Sequence, residues 1–157
     1  MNTRIQSHNQ TAKNLEAAFA GESMANRKYL YFAKIARELG DEEVAQLFEK
    51  TANEETGHAF AHLELMHPKK DLTVQRLLEL AVEGELYETN TMYPEFERIA
   101  REEGNEAAVA EFQEQAQESQ IHADTFMQAA KRFKAFTLVE KAHADRYQKM
   151  LDKKQSA

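Results

Sequence analysis

The sequence predicts an all-α protein built as a four-helix bundle with an extended final helix, and three observations lead there. Breakers are few: five Gly and two Pro in 157 residues, too few for a β protein full of tight turns. The apolar residues recur at helical rather than alternating spacing. Finally, the second half carries long stretches without any breaker, including everything from Asn105 onward.

Composition removes several classes of function. Twenty Lys and Arg stand against 27 Asp and Glu, a net charge of −7. That balance argues against a binder of nucleic-acid backbones. The absence of Cys excludes disulfides, thiolate nucleophiles and Cys-held metal centres. No apolar run approaches the roughly 20 residues of a membrane span, and the start is polar. The expectation is a cytoplasmic protein with neither membrane nor nucleic-acid partners.

Each element follows from local signals. Residues 1–10 read as a disordered polar tail, and residues 11–153 as one domain. Thr11 is placed as the N-cap of a first helix that runs to about Leu39 and stops at Gly40. Asp41 caps a second helix that ends near Met66. His67, Pro68, Lys69 and Lys70 form a connector. A third helix begins near Asp71 or Thr73 and ends at Gly104, with Pro94 expected to kink it. The fourth runs from Asn105 to the end.

The heptad stripes carry the chemistry. They read Leu15, Phe19, Glu22, Tyr29, Phe32/Ala33 and Ala36 in the first helix, and Val44, Phe48, Thr51, Glu55, His58, His62 and Leu65 in the second. In the third they read Leu78, Ala81, Glu85, Glu88, Met92, Phe96 and Ile99, and in the last Phe133, Phe136, Glu140, His143, Tyr147 and Met150. Each stripe is apolar except at its middle. Glu55-x-x-His58 and Glu140-x-x-His143 put a carboxylate and an imidazole on one face, one turn apart. Unpaired carboxylates facing a core cost several kcal/mol each. No Lys or Arg shares these stripes, so a pair of metal ions is the fitting compensation. Carboxylates with one His per metal suit iron or manganese, and single Glu residues combined with Glu-x-x-His pairs describe a dinuclear carboxylate bundle.

At these residues the chain resembles the rubrerythrin family. The matching stretches are AFAGESMANRKYLYFAKIA around Glu22, FEKTANEETGHAFAHL around His58, EGELYETNTMYPEFERIAREEG around Glu85 and VEKAHADRYQKML around His143. The resemblance implies a ferritin-like bundle with two non-haem iron ions, Fe2+ or Fe3+, that reduces hydrogen peroxide to water. A manganese or mixed-metal pair is an alternative. By the same resemblance Glu55 and Glu140 bridge the metals, Glu22 and Glu85 are terminal ligands, and His143 holds one ion. Glu88 and His58 alternate on the other. Tyr29 and Tyr93 match tyrosines that hydrogen-bond ligand carboxylates. Ferrous oxidation by dioxygen, or iron buffering at the same site, are the alternative functions. Many members carry a Cys-held iron in a tail; without Cys, the expected electron source is a separate protein, rubredoxin-like or a reductase.

A repeat complicates the fourth helix. FQEQAQESQIHADTFMQ from Phe112 returns three heptads later as FKAFTLVEKAHADRYQK from Phe133. His122 matches His143, but Glu140 matches Ser119, with Glu118 one place away. The second copy is chemically complete, so Glu140 and His143 are the expected ligands, with Glu118 and His122 as the alternative. On one straight helix the copies lie about 31 Å apart, so both cannot serve one site. The residues from Met66 to Thr73 span at most about 25 Å, short for a crossover. A homodimer with exchanged helices would resolve both constraints.

Overall fold

A computed structural model describes the backbone of residues 10–155. The expected tail, apart from Gln10, lies outside the described residues, as do the side chains of Tyr147 and Met150. The described chain is helical: α1 (Gln10–Glu38), α2 (Glu42–Met66), α3 (Val74–Tyr87), α4 (Tyr93–Glu102) and α5 (Glu106–Gln155), with a 3-10 turn at Lys69–Asp71 and a π-turn at Glu88–Met92. It divides into two compact units, one ending at Leu72 and the other beginning at Thr73. Each unit is a helical hairpin closed by its own turn, and each is described by itself.

The two turns are built alike. Gly40 (φ +88°) and Gly104 (φ +72°) take the left-handed conformation that ends a helix cheaply only at glycine. Behind Gly40, the Asp41 N–H donates to the Ala36 carbonyl, and behind Gly104 the Asn105 N–H donates to Ala100, both at 2.9 Å. The next helix is then capped by a side chain. Asp41 Oδ1 accepts from the Val44 N–H at 3.0 Å, and Asn105 Oδ1 accepts from Ala108 at 3.1 Å. The boundaries therefore fall where the breakers placed them. The start of α1 differs: Thr11 lies inside the helix, one residue past its first described position.

Small residues form the seam inside each hairpin. Ala45, Ala52 and Ala59, one heptad apart on α2, are buried, as are Ala33 and Ala36 on α1. In the second hairpin Ala100, Val109 and Ala123 play this part. Alanine lets two helix backbones approach closely. Asn26 exploits that approach, donating from Nδ2 to the Ala52 carbonyl at 2.7 Å and to Thr56 Oγ1 at 3.0 Å. The polar stripe lies beside this seam rather than in it, which is why Glu22, Glu55, Glu85 and Glu88 are only half-buried.

Pro94 is accommodated by a π-turn within a helical run that continues from α3 into α4. The π-turn precedes it, with the Tyr93 N–H bonded back to the Glu88 carbonyl. Pro94 then falls in the first turn of α4, where a backbone donor is not needed.

Aligning the hairpins reveals a longer repeat than the one within α5. Tyr29, Phe32, Arg37, Gly40, Phe48, Ala52 and His58 recur at one constant offset as Tyr93, Phe96, Arg101, Gly104, Phe112, Ala116 and His122. Gly21–Glu22 recur as Gly84–Glu85, an offset one position shorter. The difference is taken up by the π-turn, the usual form of a single insertion in a helix.

The seam gives a direct test. Ala52→Leu inserts three carbons where the side chain has 0% exposure. Overpacking of this kind costs about 1–3 kcal/mol; urea unfolding should show that loss, whereas the same change at exposed Asn53 should be nearly neutral.

Candidate metal centre

The first hairpin brings together three of the predicted ligands. α1 presents Glu22, and one turn of α2 presents Glu55 and His58. One ligand atom from each lies within 4.8 Å of the others. His58 Nδ1 is 2.8 Å from Glu55 Oε2. That hydrogen bond, and second the one shared with Glu22, hold the Glu55 carboxyl below the usual carboxylate range. The Glu55 side chain is 15% exposed while the His58 ring is 62% exposed. The carboxylate is thus enclosed by the hairpin, and the imidazole stands at its open edge.

In the second hairpin, the π-turn and α3 present Glu85 and Glu88 to α5. Glu85 Oε2 is buried without a hydrogen-bond partner; His122 Nδ1 stands 3.5 Å away. Glu88 Oε2 accepts a 2.8 Å hydrogen bond from Ser119 Oγ. The α5 residues beside the predicted third-helix ligands are therefore Ser119 and His122. Glu118 is exposed. Glu140 and His143 are also exposed. They lie three heptads further along an uninterrupted 50-residue helix, about 31 Å at the α-helical rise.

The aromatic residues form one cluster per hairpin. Tyr29 and Phe32 pack on Phe48 with ring centroids 5.9 and 5.6 Å apart. Tyr93 and Phe96 pack on Phe112 at 6.2 and 5.6 Å. Partial burial first, and then the charges of Glu88, Glu111 and Glu85, push the Tyr93 phenol above its ordinary value. Its O–H stays protonated at neutral pH. Among the described residues, the contacts of Tyr29 and Tyr93 are with rings; neither hydroxyl bonds a ligand carboxylate.

The residues fit a bound cation. Arginines pair with other acids: Arg37 with Glu42 and Glu49, Arg76 with Glu79 and Glu83, Arg98 with Glu95 and Glu102. Among the described residues, no ion pair with Lys or Arg reaches Glu22, Glu55, Glu85 or Glu88. Glu85, whose buried Oε2 makes no hydrogen bond and faces His122 Nδ1 at 3.5 Å, and the crowded Glu22–Glu55 pair are carboxylate–imidazole sets that suit a metal ion. Ser119 and His122 stand out less in the sequence because the intact Glu-x-x-His spacing lies elsewhere; the repeat between hairpins is the signal that finds them.

Comparison with known proteins places the chain in a family. Residues 13–130 match the family profile described as Rubrerythrin. The chain is 40% identical over 131 residues to nigerythrin from Nitratidesulfovibrio vulgaris, covering 76% of this chain and 65% of that protein. It is 36% identical to rubrerythrin of the same organism (79% and 71% covered) and 33% identical to rubrerythrin of Clostridium perfringens (77% and 70%). A solved structure of fully reduced, all-ferrous nigerythrin shares 37% identity over 83% of this chain and 70% of that one, with a TM-score of 0.41. The chain belongs to the rubrerythrin family, whose members are ferritin-like di-iron proteins. It spans about two thirds of the length of these relatives.

The lowered Glu55 pKa sets a pH dependence for the metal-free protein. A carboxyl depressed by folding stabilises the fold above its unfolded pKa and loses that contribution as pH falls through the folded one. Thermal melts of the wild type should therefore fall between neutral and acid pH below the ordinary carboxylate range. Glu55→Gln should flatten part of that fall.

Proposed function

We propose that this chain is a non-haem di-iron peroxidase that reduces hydrogen peroxide to water with electrons from an external donor. The observation that carries the proposal is the Glu22–Glu55–His58 cluster, acidic, half-enclosed and without a protein cation. The proposed ligands are Glu22, Glu55 and His58 in the first hairpin and Glu85 and Glu88 in the second. His122 is the histidine on that side, because it stands beside Glu85. Glu140 and His143, the pair expected from the sequence, lie three heptads further along α5 and are left out of the proposed set.

When bound, a ferrous pair supplies the two electrons that split the O–O bond, and two protons complete two waters. The protein's part is to position and to hold protons. Glu55 ties α1 chemistry to α2 through Glu22 and His58. The exposed edge of His58 leaves that imidazole free to move toward or away from a ligand position. Tyr93 keeps its phenolic proton within electrostatic reach of Glu85 and Glu88. Re-reduction is assigned to an external donor protein, rubredoxin-like or a reductase.

The same proposal includes a homodimer. Phe136, Leu138 and Val139 are 69%, 62% and 53% exposed on the far half of α5, an apolar stretch that a second copy would cover. Sedimentation should give twice the chain mass. A monomer with a full iron complement would remove the dimer from the proposal.

Ferrous titration and stopped-flow mixing test the activity. The wild type should bind two ferrous ions per chain and oxidise them much faster with hydrogen peroxide than with dioxygen. Faster reaction with dioxygen would favour ferrous oxidation; binding without reaction would favour iron buffering. His122→Ala should lose one ion, while Glu140→Ala and His143→Ala should retain both. The reverse pattern would move the site to the second copy of the α5 repeat.

A further inference from the structure

Hairpin by hairpin, the carboxylates are redistributed. In the first, one glutamate comes from each helix: Glu22 from α1 and Glu55 from α2. At the offset that relates His58 to His122, the position equivalent to Glu55 is Ser119. Both acids of the second hairpin, Glu85 and Glu88, come from its first arm, on α3 and the π-turn. Glu88 has no counterpart in the first hairpin: at the offset that relates Glu22 to Glu85, the equivalent position is Ala25. Each hairpin thus keeps two carboxylates and one histidine, but one carboxylate has crossed from the second arm to the first.

Ser119 is the residue that makes this crossing work. It is 5% exposed, the one buried polar residue of the described core. A hydroxyl left unbonded in an alanine seam costs about 1–3 kcal/mol. The easy local solution is to donate to the carbonyl four residues back, as Thr51, Thr56, Thr125 and Thr137 all do. Ser119 instead donates to Glu88 Oε2 at 2.8 Å. That bond points the Glu88 carboxylate at the position on α5 where the first hairpin carries a glutamate.

We propose that Ser119 is a positioning residue: its hydroxyl holds Glu88 so that this carboxylate stands in for the glutamate missing at position 119. The assignment rests on the dinuclear reading above and adds to it a residue that touches no metal. Outer partners that orient a ligand carboxylate are typically worth about 10–100-fold in metal affinity. The second hairpin's ion therefore depends on Ser119, and the ion held by Glu22, Glu55 and His58 does not.

Cobaltous ion titrated into the full-length metal-free protein, followed by its visible absorption, tests this without any turnover. The wild type should bind two ions per chain. Ser119→Ala, a substitution that suits the alanine seam, should weaken one ion by about 10–100-fold and change its absorption band, with helicity by circular dichroism unchanged. In a Glu88→Ala background the same substitution should add no further loss. Two wild-type ions with unaltered affinities and bands in Ser119→Ala, or an equal added loss in the Glu88→Ala background, would overturn the proposal alone. A wild-type chain that binds no cobalt would overturn the dinuclear reading, and the role of Ser119 with it.

Discussion

Two carboxylates on neighbouring helices, Glu22 and Glu55, come within 4.8 Å of each other while arginines of the chain are engaged with other acids. Like charges at this separation repel unless a proton or a cation lies between them. The histidine one turn along α2 answers part of the repulsion and lowers the Glu55 pKa. The rest is left for an ion that the donor set suits. Much of the local architecture serves to hold these groups in place against their mutual repulsion: the alanine seam fixes the spacing of α1 and α2, and Asn26 cross-links them near the cluster.

The second hairpin meets the same constraint differently. Its π-turn takes up one residue, brings Glu88 into the set and separates α3 from the proline-led α4. The buried serine on α5 then completes the arrangement. A glutamate can be lost from one helix when a neighbouring helix offers another at the same depth and a short side chain remains to anchor it. Glu85 Oε2 is buried without a hydrogen bond, and the nearest answer to its charge is His122 Nδ1 at 3.5 Å.

Much of this was legible in the residues. Gly40, Asp41, Pro94 and Gly104 act by backbone rules that need no tertiary context, and the structure follows them. Glu22, Glu55 and His58 were legible because a carboxylate–imidazole pair one turn apart interrupts an apolar stripe. The alanine seam was legible only in part: the first-helix stripe takes in Ala33 and Ala36, but a heptad pattern weighted toward large side chains passes over Ala45, Ala52 and Ala59. The fourth-helix residues were obscured for a different reason. The intact Glu140-x-x-His143 outweighs Ser119-x-x-His122 when spacing is the only criterion. The shift of one position at the π-turn also blurs the repeat that ties Ser119 to Glu55.

The twin glycine turns bear on how the chain acquires its shape. Each hairpin pairs helices that are adjacent in the sequence, joined only by Leu39–Asp41 in one and by Glu103–Asn105 in the other. Contacts of such low sequence separation close at little entropic cost and form fast. Pairing within a hairpin therefore need not wait for distant parts of the chain. The alanine seams can zip soon after the glycines turn, so the carboxylates are gathered by the folding of the chain itself.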